Sequence, residues 1–298
     1  MRLSRALLPG VPAIAAAFCS FSTPSAALAD VSMAVPASTQ SVPPPPPPEK
    51  HFAIYPVIDG AIIGTSVGVA GLMELVLQTG EIKPLGPTVD PGALLPIDRI
   101  AVTQTIDPHA GFYSDVGLYA AIGFTGLDSV LSGVRYGWSA GLMDAVMYLE
   151  SVAVTLTVTD LTKIAVRRPR PIDYKDQSTA NVGTTTNTDE TLSFFSGHAG
   201  TLAAITGTST YLAFVRSPHS ARPWVTLAAG TLLTAFVDYE RVRAGAHFPT
   251  DVIAGTLTGA AIGVVVPRLH HLAVLPVWVS AAPTMRGYGA TLFAQGSF

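Results

Sequence analysis

The sequence predicts an all-α fold: a helical bundle of about six apolar helices, followed by a short C-terminal β-hairpin. Of the 298 residues, 49% are hydrophobic and 12% are charged, and this charged share is about half that of an average soluble domain. The apolar residues are collected in long segments separated by polar ones, and small residues, which let helices approach closely, are dense throughout. Helices that are apolar on all sides belong in a membrane or in a thick core.

The first element, residues 1–29, has the pattern of a secretory signal peptide. Two early arginines precede an apolar stretch, and the small residues Ala27 and Ala29 match a cleavage site. An uncleaved anchor helix is the alternative. Cys19, the single cysteine of the chain, lies in this segment, so we expect the mature protein to have no disulfide and no thiol chemistry.

The second element, residues 30–50, is interpreted as an extended exported spacer. Six consecutive prolines, Pro43 to Pro48, favour polyproline II and pack as neither helix nor sheet. The third element is the helical domain, residues 51–271. Its apolar segments lie at 58–79, 114–134, 139–166, 196–215, 223–239 and 251–266.

Two stretches have the alternation of a strand. Residues 272–298 alternate around a turn region and predict two short strands in a hairpin, which would pack on the helices or serve as an association edge. Residues 151–160 also alternate, but the long apolar context on both sides favours a helix there.

A membrane-embedded bundle and a soluble helical domain both fit these segments. A span needs about 20 mostly apolar residues, whereas carboxylates such as Glu74, Asp144 and Glu150 lie within or near the apolar segments. Placing such charged groups in lipid is energetically unfavourable unless they face the bundle interior. An exported N-terminus and an external site would require an even number of crossings before Lys163, and three apolar segments precede it. Either one segment does not span, the signal peptide is retained, or nothing spans.

The first of three polar clusters lies where the third apolar segment ends. Lys163 is followed, after six intervening residues, by Arg170 and Pro171, and two of those intervening residues are also arginines. Prolines stop the helix here. So many cations in a chain this poor in charge indicate an anion site, and a solvated helix end or a positive-inside topology determinant is the alternative.

The second cluster begins the fourth apolar segment. Ser196 is a candidate N-cap, Gly197 allows close backbone approach, and His198 falls in the first helical turn. The exposed N–H groups of a helix start bind anions. Taken alone, an ordinary capped helix with an incidental histidine explains this cluster better than an anion site does.

The third cluster is Arg241, His247 and Asp251, with the spacing R-x5-H-x3-D. A carboxylate four residues after a histidine can accept its Nδ1–H, which leaves Nε2 as a nucleophile or base. A structural His–Asp pair at a helix start is the alternative.

Together the clusters supply what phosphoryl transfer needs: cations on the phosphoryl oxygens, a nucleophile in line and an acid for the leaving oxygen. No metal or other cofactor is required, and no second carboxylate cluster is evident in the sequence. The candidate cations are Lys163, Arg170 and Arg241, the backbone donors lie at Ser196 and Gly197, and the candidate catalytic groups are His247, His198 and Asp251.

The ordered pattern K-x6-R-P, S-G-H and R-x5-H-x3-D resembles the type 2 phosphatidic acid phosphatase superfamily over about residues 140–270. That family is all-helical and includes lipid phosphate phosphatases, soluble bacterial acid phosphatases and vanadium haloperoxidases. The resemblance implies a phosphohistidine at His247, with Asp251 as its partner and His198 as general acid. It also implies that the three cations, Ser196 and Gly197 bind the phosphate.

Two positions depart from the family pattern. Phe195 stands where the family usually has proline before S-G-H, and Glu240 stands where it usually has serine before the arginine. Phe195 is expected to change only the approach to the helix. Glu240 would weaken phosphate binding if its charge pointed inward, or orient Arg241 if it faced away.

The expected function is that of a metal-independent phosphatase acting outside the cytoplasm on phosphate monoesters or diphosphates, with lipid phosphates preferred. The expected location is the cell membrane with the site facing the periplasm, or the soluble periplasm. A net charge of −3 gives no reason to expect nucleic acid as a partner, and no oligomeric state is predicted. The alternatives are a vanadate-dependent haloperoxidase and a non-catalytic envelope protein that retains the pocket.

Overall fold

A computed structural model describes residues 52–79, 81–84, 90–176, 191–272, 277–283 and 290–296. The predicted signal peptide and the proline-rich spacer lie outside the described residues.

Helices make up the domain before residue 273. In chain order they are α1 (Pro56–Gln78), α2 (Arg99–Thr103), α3 (Ala110–Tyr136), α4 (Trp138–Val166), α5 (Asp173–Asp176), α6 (Gly197–Arg216), α7 (Arg222–Arg243) and α8 (Pro249–Leu272), with a 3-10 turn at Pro91–Ala93. Six of these described helices are long, and they cover the six predicted apolar segments. The all-helical bundle is therefore confirmed, and residues 151–160 are helical, as predicted, inside α4.

Two strands follow the helical domain. β1 (Val277–Pro283) and β2 (Ala290–Gly296) pair antiparallel, with Val277 opposite Gly296. The connecting residues 284–289 lie outside the described part of the chain. The hairpin as a unit, and its predicted packing or association role, therefore stay predictions.

The centre of the bundle is the contact between α6 and α8, which is set by glycines. A Cβ on Gly259 would collide with the backbone carbonyl of Gly200, and one on Gly263 would collide with that of Ala204. Only glycine at these positions allows the two helix backbones to lie this close. The core beside this contact is apolar and includes Met147, Leu202, Ile205, Leu212 and Val237.

The long helices run alternately between two ends of the bundle. The N–H of Ala53, just before α1, donates to the carbonyl of His270 near the end of α8 at 3.1 Å. Asp98, which follows α1, accepts from the N–H of Thr250 at the start of α8 at 3.0 Å. We name the end that holds the start of α8 the upper end and the opposite one the lower end. α1 therefore begins at the lower end and finishes at the upper end.

Among the described residues, four helices are long and apolar enough to cross a membrane: α1, α3, α4 and residues Pro249–His271 of α8. In α1, only 6% of the 18-residue stretch with the highest hydropathy is buried, and Leu72 and Leu75 are exposed. In α4 the carboxylates Asp144 and Glu150 are buried, as charged groups in a membrane helix must be. These features support a membrane protein rather than a soluble domain.

The helix directions constrain how the chain enters the membrane. α1, α3 and α4 are all candidate spans, and all three precede Lys163 at the upper end. The start of α1 and the three polar clusters therefore lie at opposite ends of the bundle. If all three helices cross, a cleaved signal peptide and a periplasmic site are incompatible. The periplasmic orientation stays a prediction.

Candidate active site

The structure gathers the three predicted clusters at the upper end of the bundle. Lys163 lies in the last turn of α4, Arg241 in the last turn of α7, and Asp251 in the first turn of α8. His247 lies in the short turn between α7 and α8, and Ser196 begins α6. Helix ends and the turn between α7 and α8 therefore supply these groups, because six alternating helices bring starts and finishes together.

The start of α6 is capped as predicted. The Oγ of Ser196 accepts from the N–H of Ala199 at 3.4 Å, and Gly197 is the first helical residue. The N–H of Ser196 itself donates to the carbonyl of Asp251 at 3.2 Å, which ties the start of α6 to α8. Phe195 is buried and packs beside Gly200. Its ring thus fills the space beneath the first turn of α6.

His247 has a hydrogen bond that differs from the prediction. Its Nδ1 donates to the backbone carbonyl of Ser193 at 2.7 Å. The predicted acceptor, Asp251, has its nearest oxygen 4.0 Å from Nδ1 and instead accepts from the N–H of Phe248 at 2.8 Å. A carbonyl oxygen can only accept a hydrogen bond, so Nδ1 carries the proton. The tautomer is therefore still the predicted one. Nε2 is therefore the unprotonated nitrogen, 3.4 Å from the guanidinium of Arg241.

The surroundings of His247 keep its ring neutral. The side chain is 2% exposed. Burial, followed by the positive charges of Arg241, Arg170 and Lys163, lowers the pKa of His247 well below its ordinary value. All three predicted cations are thus close enough to act on this imidazole. A neutral ring keeps the Nε2 lone pair that a nucleophile needs.

His198 has a carboxylate partner that the sequence did not reveal. Its Nε2 lies 2.8 Å from Oδ1 of Asp115 on α3. Burial and the charge of Arg241 lower the pKa of His198 to about 4, while Asp115 acts in the opposite direction. Nothing in the sequence marks Asp115 as a partner of His198, because an acidic residue in the first turns of a helix is common.

Arg170 is held in place by the loops around it. Its backbone N–H donates to a carboxylate oxygen of Asp173 at 3.0 Å, and its Nε donates to the carbonyl of Leu192 at 3.3 Å. The loop after α4 and the segment before α6 thus hold this guanidinium jointly.

Comparison with known proteins agrees with this geometry. The profile of the PAP2 superfamily matches residues 144–274, which contain all eight predicted site residues. Residues 144–274 belong to the PAP2 superfamily. This match supports a phosphatase, a phosphoric ester hydrolase, as the activity of the chain.

A solved structure and a search of curated proteins complete the comparison. The chain is similar to the crystal structure of the first transmembrane PAP2 type phosphatidylglycerolphosphate phosphatase from Bacillus subtilis, with a TM-score of 0.43 and 17% sequence identity. The match covers 71% of this chain and 94% of the other. No curated protein matches the sequence significantly.

A buried ion network next to the candidate site connects the segment after α4 with Asp98 and with the start of α8. Arg168 donates to Asp251 at 2.5 Å, to Asp98 at 2.8 Å and to the hydroxyl of Thr250 at 2.8 Å. Its guanidinium also lies 3.9 Å from the ring centre of Phe248. In the sequence Arg168 was only one more charge near Lys163, and Asp98 had no signal at all. The structure uses Arg168 to neutralise two buried carboxylates.

Glu240, the departure beside Arg241, is buried at 7% exposure. Within the described part of the chain, its Oε2 has no hydrogen-bond partner. The two predicted effects of Glu240, weaker phosphate binding or orientation of Arg241, both remain predictions.

A groove of about 460 Å³ adjoins the PAP2 site between α1, α3, α4 and α6. Its wall is mostly apolar, and Lys163 and His198 are among its polar lining residues. The lining residues are Val67, Ala70, Gly71, Glu74, Leu118, Ala153, Leu156, Thr159, Asp160, Lys163, Gly197, His198 and Thr201.

Proposed function

We propose that this PAP2 phosphatase hydrolyses lipid phosphate monoesters or diphosphates through a phosphohistidine on His247. The observation that carries the proposal is the state of His247: Nδ1 is bonded to the carbonyl of Ser193, and burial together with three cations lowers the pKa of the ring. A neutral, oriented imidazole next to concentrated positive charge is suited to attack an anionic phosphoryl group.

In the first step, Nε2 of His247 forms a bond to phosphorus while the bond to the leaving oxygen breaks. Lys163, Arg170 and Arg241 stabilise the charge on the phosphoryl oxygens, together with the N–H groups at the start of α6. His198 gives its proton to the leaving alcohol or phosphate oxygen. In the second step a water attacks phosphorus, His198 takes the proton from that water, and the bond to Nε2 breaks.

His198 must gain a proton before it can act as the acid. With a pKa of about 4 in the substrate-free site, it is neutral at pH 7. The negative charge of a bound phosphate opposes the charge of Arg241 and so favours protonation. Because Nε2 is bonded to Asp115, Nδ1 is the nitrogen that would face the leaving group.

The groove supports a lipid as the substrate. A mostly apolar groove whose lining includes Lys163 and His198 would accommodate an acyl chain while the phosphate of the lipid reaches the cations. One wall is α1, whose outer face is apolar and exposed. A lipid could therefore enter sideways from the bilayer without leaving its apolar environment.

Filling the groove is expected to discriminate against long substrates. Gly71 lines the groove, and a Cβ there meets no atom within 4 Å, so Gly71→Phe projects a ring into it without a backbone clash. We expect KM for a long-chain phosphatidate to rise about tenfold, equivalent to about 1.4 kcal/mol of lost binding. Hydrolysis of a short-chain phosphatidate should be nearly unchanged.

The matched control is Gly68→Phe, one helical turn away, where a Cβ also has open space and which does not line the groove. Equal effects of both substitutions on the two substrates would remove the support that the groove gives to a lipid substrate. Phosphate release from detergent-solubilised protein measures all four combinations.

Removing the partner of His198 is expected to shift the pH profile. The negative charge of Asp115 raises the pKa of His198, so Asp115→Asn lowers that pKa further. Less of the acid form is then present at a given pH, and the alkaline limb of kcat, which reports the substrate complex, should move to lower pH by about one pH unit. The control is Asp107→Asn, at the same end of the bundle but paired with Arg243. An alkaline limb at the same pH in wild type and Asp115→Asn would contradict the acid role of His198.

A further inference from the structure

Three buried metal-ligating side chains meet at the lower end of the bundle, away from the phosphatase site. They are Asp59 in the first turn of α1, Glu150 in α4 and His270 near the end of α8. None is more than 6% exposed. One ligand atom from each lies within 4.8 Å of the other two. The proposed phosphatase mechanism uses none of them.

The hydrogen bonds of the cluster orient its ligand atoms inward. His270 Nδ1 is bonded to the carbonyl of Ala53 at 2.8 Å, so Nδ1 carries the proton and Nε2 faces the carboxylates. Nε2 lies 2.7 Å from Glu150. Asp59 accepts the N–H of Tyr55 at 2.8 Å with one oxygen. A backbone carbonyl holding the outer nitrogen is the usual support of a metal-binding histidine.

The charge of the cluster is not balanced by the protein. In the described ranges, no lysine or arginine forms an ion pair with Asp59 or Glu150. Two buried carboxylates beside one imidazole leave at least one negative charge without compensation. Such burial is unfavourable unless a bound cation or a proton neutralises the charge, and a divalent cation balances two carboxylates beside a neutral histidine.

We propose that Asp59, Glu150 and His270 bind one divalent first-row transition metal ion, with Zn²⁺ as the probe. One imidazole nitrogen and two carboxylate oxygens form a donor set that suits zinc and its neighbours, and it is less suited to Mg²⁺ or Ca²⁺, which prefer oxygen ligands alone. The role is structural. α1 packs chiefly on α4, and the metal ties its first turn to both α4 and α8.

The decisive measurement is metal binding to the full chain, purified in detergent and stripped with a chelator. We expect one equivalent of Zn²⁺ to bind, by calorimetry and by elemental analysis after desalting. Glu150→Gln and His270→Gln should each weaken binding at least about tenfold. His219→Ala, an exposed histidine after α6, and His247→Ala, at the phosphatase site, should retain the ion. Unchanged Zn²⁺ affinity in both cluster variants would overturn the proposal.

A second measurement needs no variant and so does not depend on how the substitutions fold. Zn²⁺ should raise the Tm of the stripped wild-type protein by several degrees in a concentration-dependent way, because a ligand that binds only the folded state stabilises it. Co²⁺ in place of Zn²⁺ should give visible absorption bands that Zn²⁺ displaces. A Tm that neither Zn²⁺ nor Co²⁺ changes would mean that the cluster is a proton-sharing ion pair and not a metal site.

Discussion

Replacing His247 with alanine is expected to abolish phosphate release, lowering kcat by at least about 10³-fold while the helical fold is retained. Removal of a covalent nucleophile leaves only binding and charge stabilisation, which cannot form the intermediate. Release of inorganic phosphate from a phosphatidate measures the loss, and circular dichroism monitors helicity. Orthovanadate, which mimics five-coordinate phosphorus, should inhibit the wild type.

The covalent step can be separated from mere binding. Acid-labile, alkali-stable labelling after a brief reaction with ³²P-labelled substrate should appear in the wild type and be absent from His247→Ala. The matched control, His219→Ala, removes a histidine that is exposed and lies outside the site, so both labelling and turnover should persist. Turnover at the wild-type rate in His247→Ala would refute the phosphohistidine mechanism.

Replacing Arg168 with methionine is expected to have the largest effect on stability. The substitution leaves Asp98 and Asp251, both 0% exposed, without the guanidinium that bridges them. Breaking a buried ion pair by removing one partner costs about 3–5 kcal/mol. We expect a large fall in Tm, and loss of activity because the turn that carries His247 is built on this network.

Arg135→Met is the control, since Arg135 is exposed in the last turn of α3. Its Tm should stay close to that of the wild type. The double variant Arg168→Met with Asp98→Asn removes one of the uncompensated charges and should recover part of the lost Tm. A Tm of Arg168→Met equal to that of Arg135→Met would show that the network contributes nothing to stability.

The fold and the residues of the candidate site were largely predictable from the sequence. Apolar segments of about 20 residues, separated by polar turns, mark helices whatever their arrangement, and all six long helices appear where the pattern placed them. The capping role of Ser196 was also local information, because an N-cap bonds only within its own first turn.

The partners within the site were not predictable in the same way. The spacing of His247 and Asp251 allowed a hydrogen bond between them, but a closer acceptor, the carbonyl of Ser193, comes from a segment 54 residues away in sequence. Asp251 turns instead toward Arg168. Spacing along the sequence shows which contacts are possible. Competition among all groups that are close in the folded protein determines which contact forms.

The sequence by itself determined the helices, the three polar clusters and the chemistry that they make available, because residue type and periodicity are local properties. Only the tertiary structure decided that Asp115 meets His198, that Arg168 joins Asp98 to Asp251, and that Asp59, Glu150 and His270 converge at the lower end. The members of each group come from different helices. Their meeting depends on helix direction and packing, and these are set by the whole bundle, down to the glycines that let α6 and α8 touch.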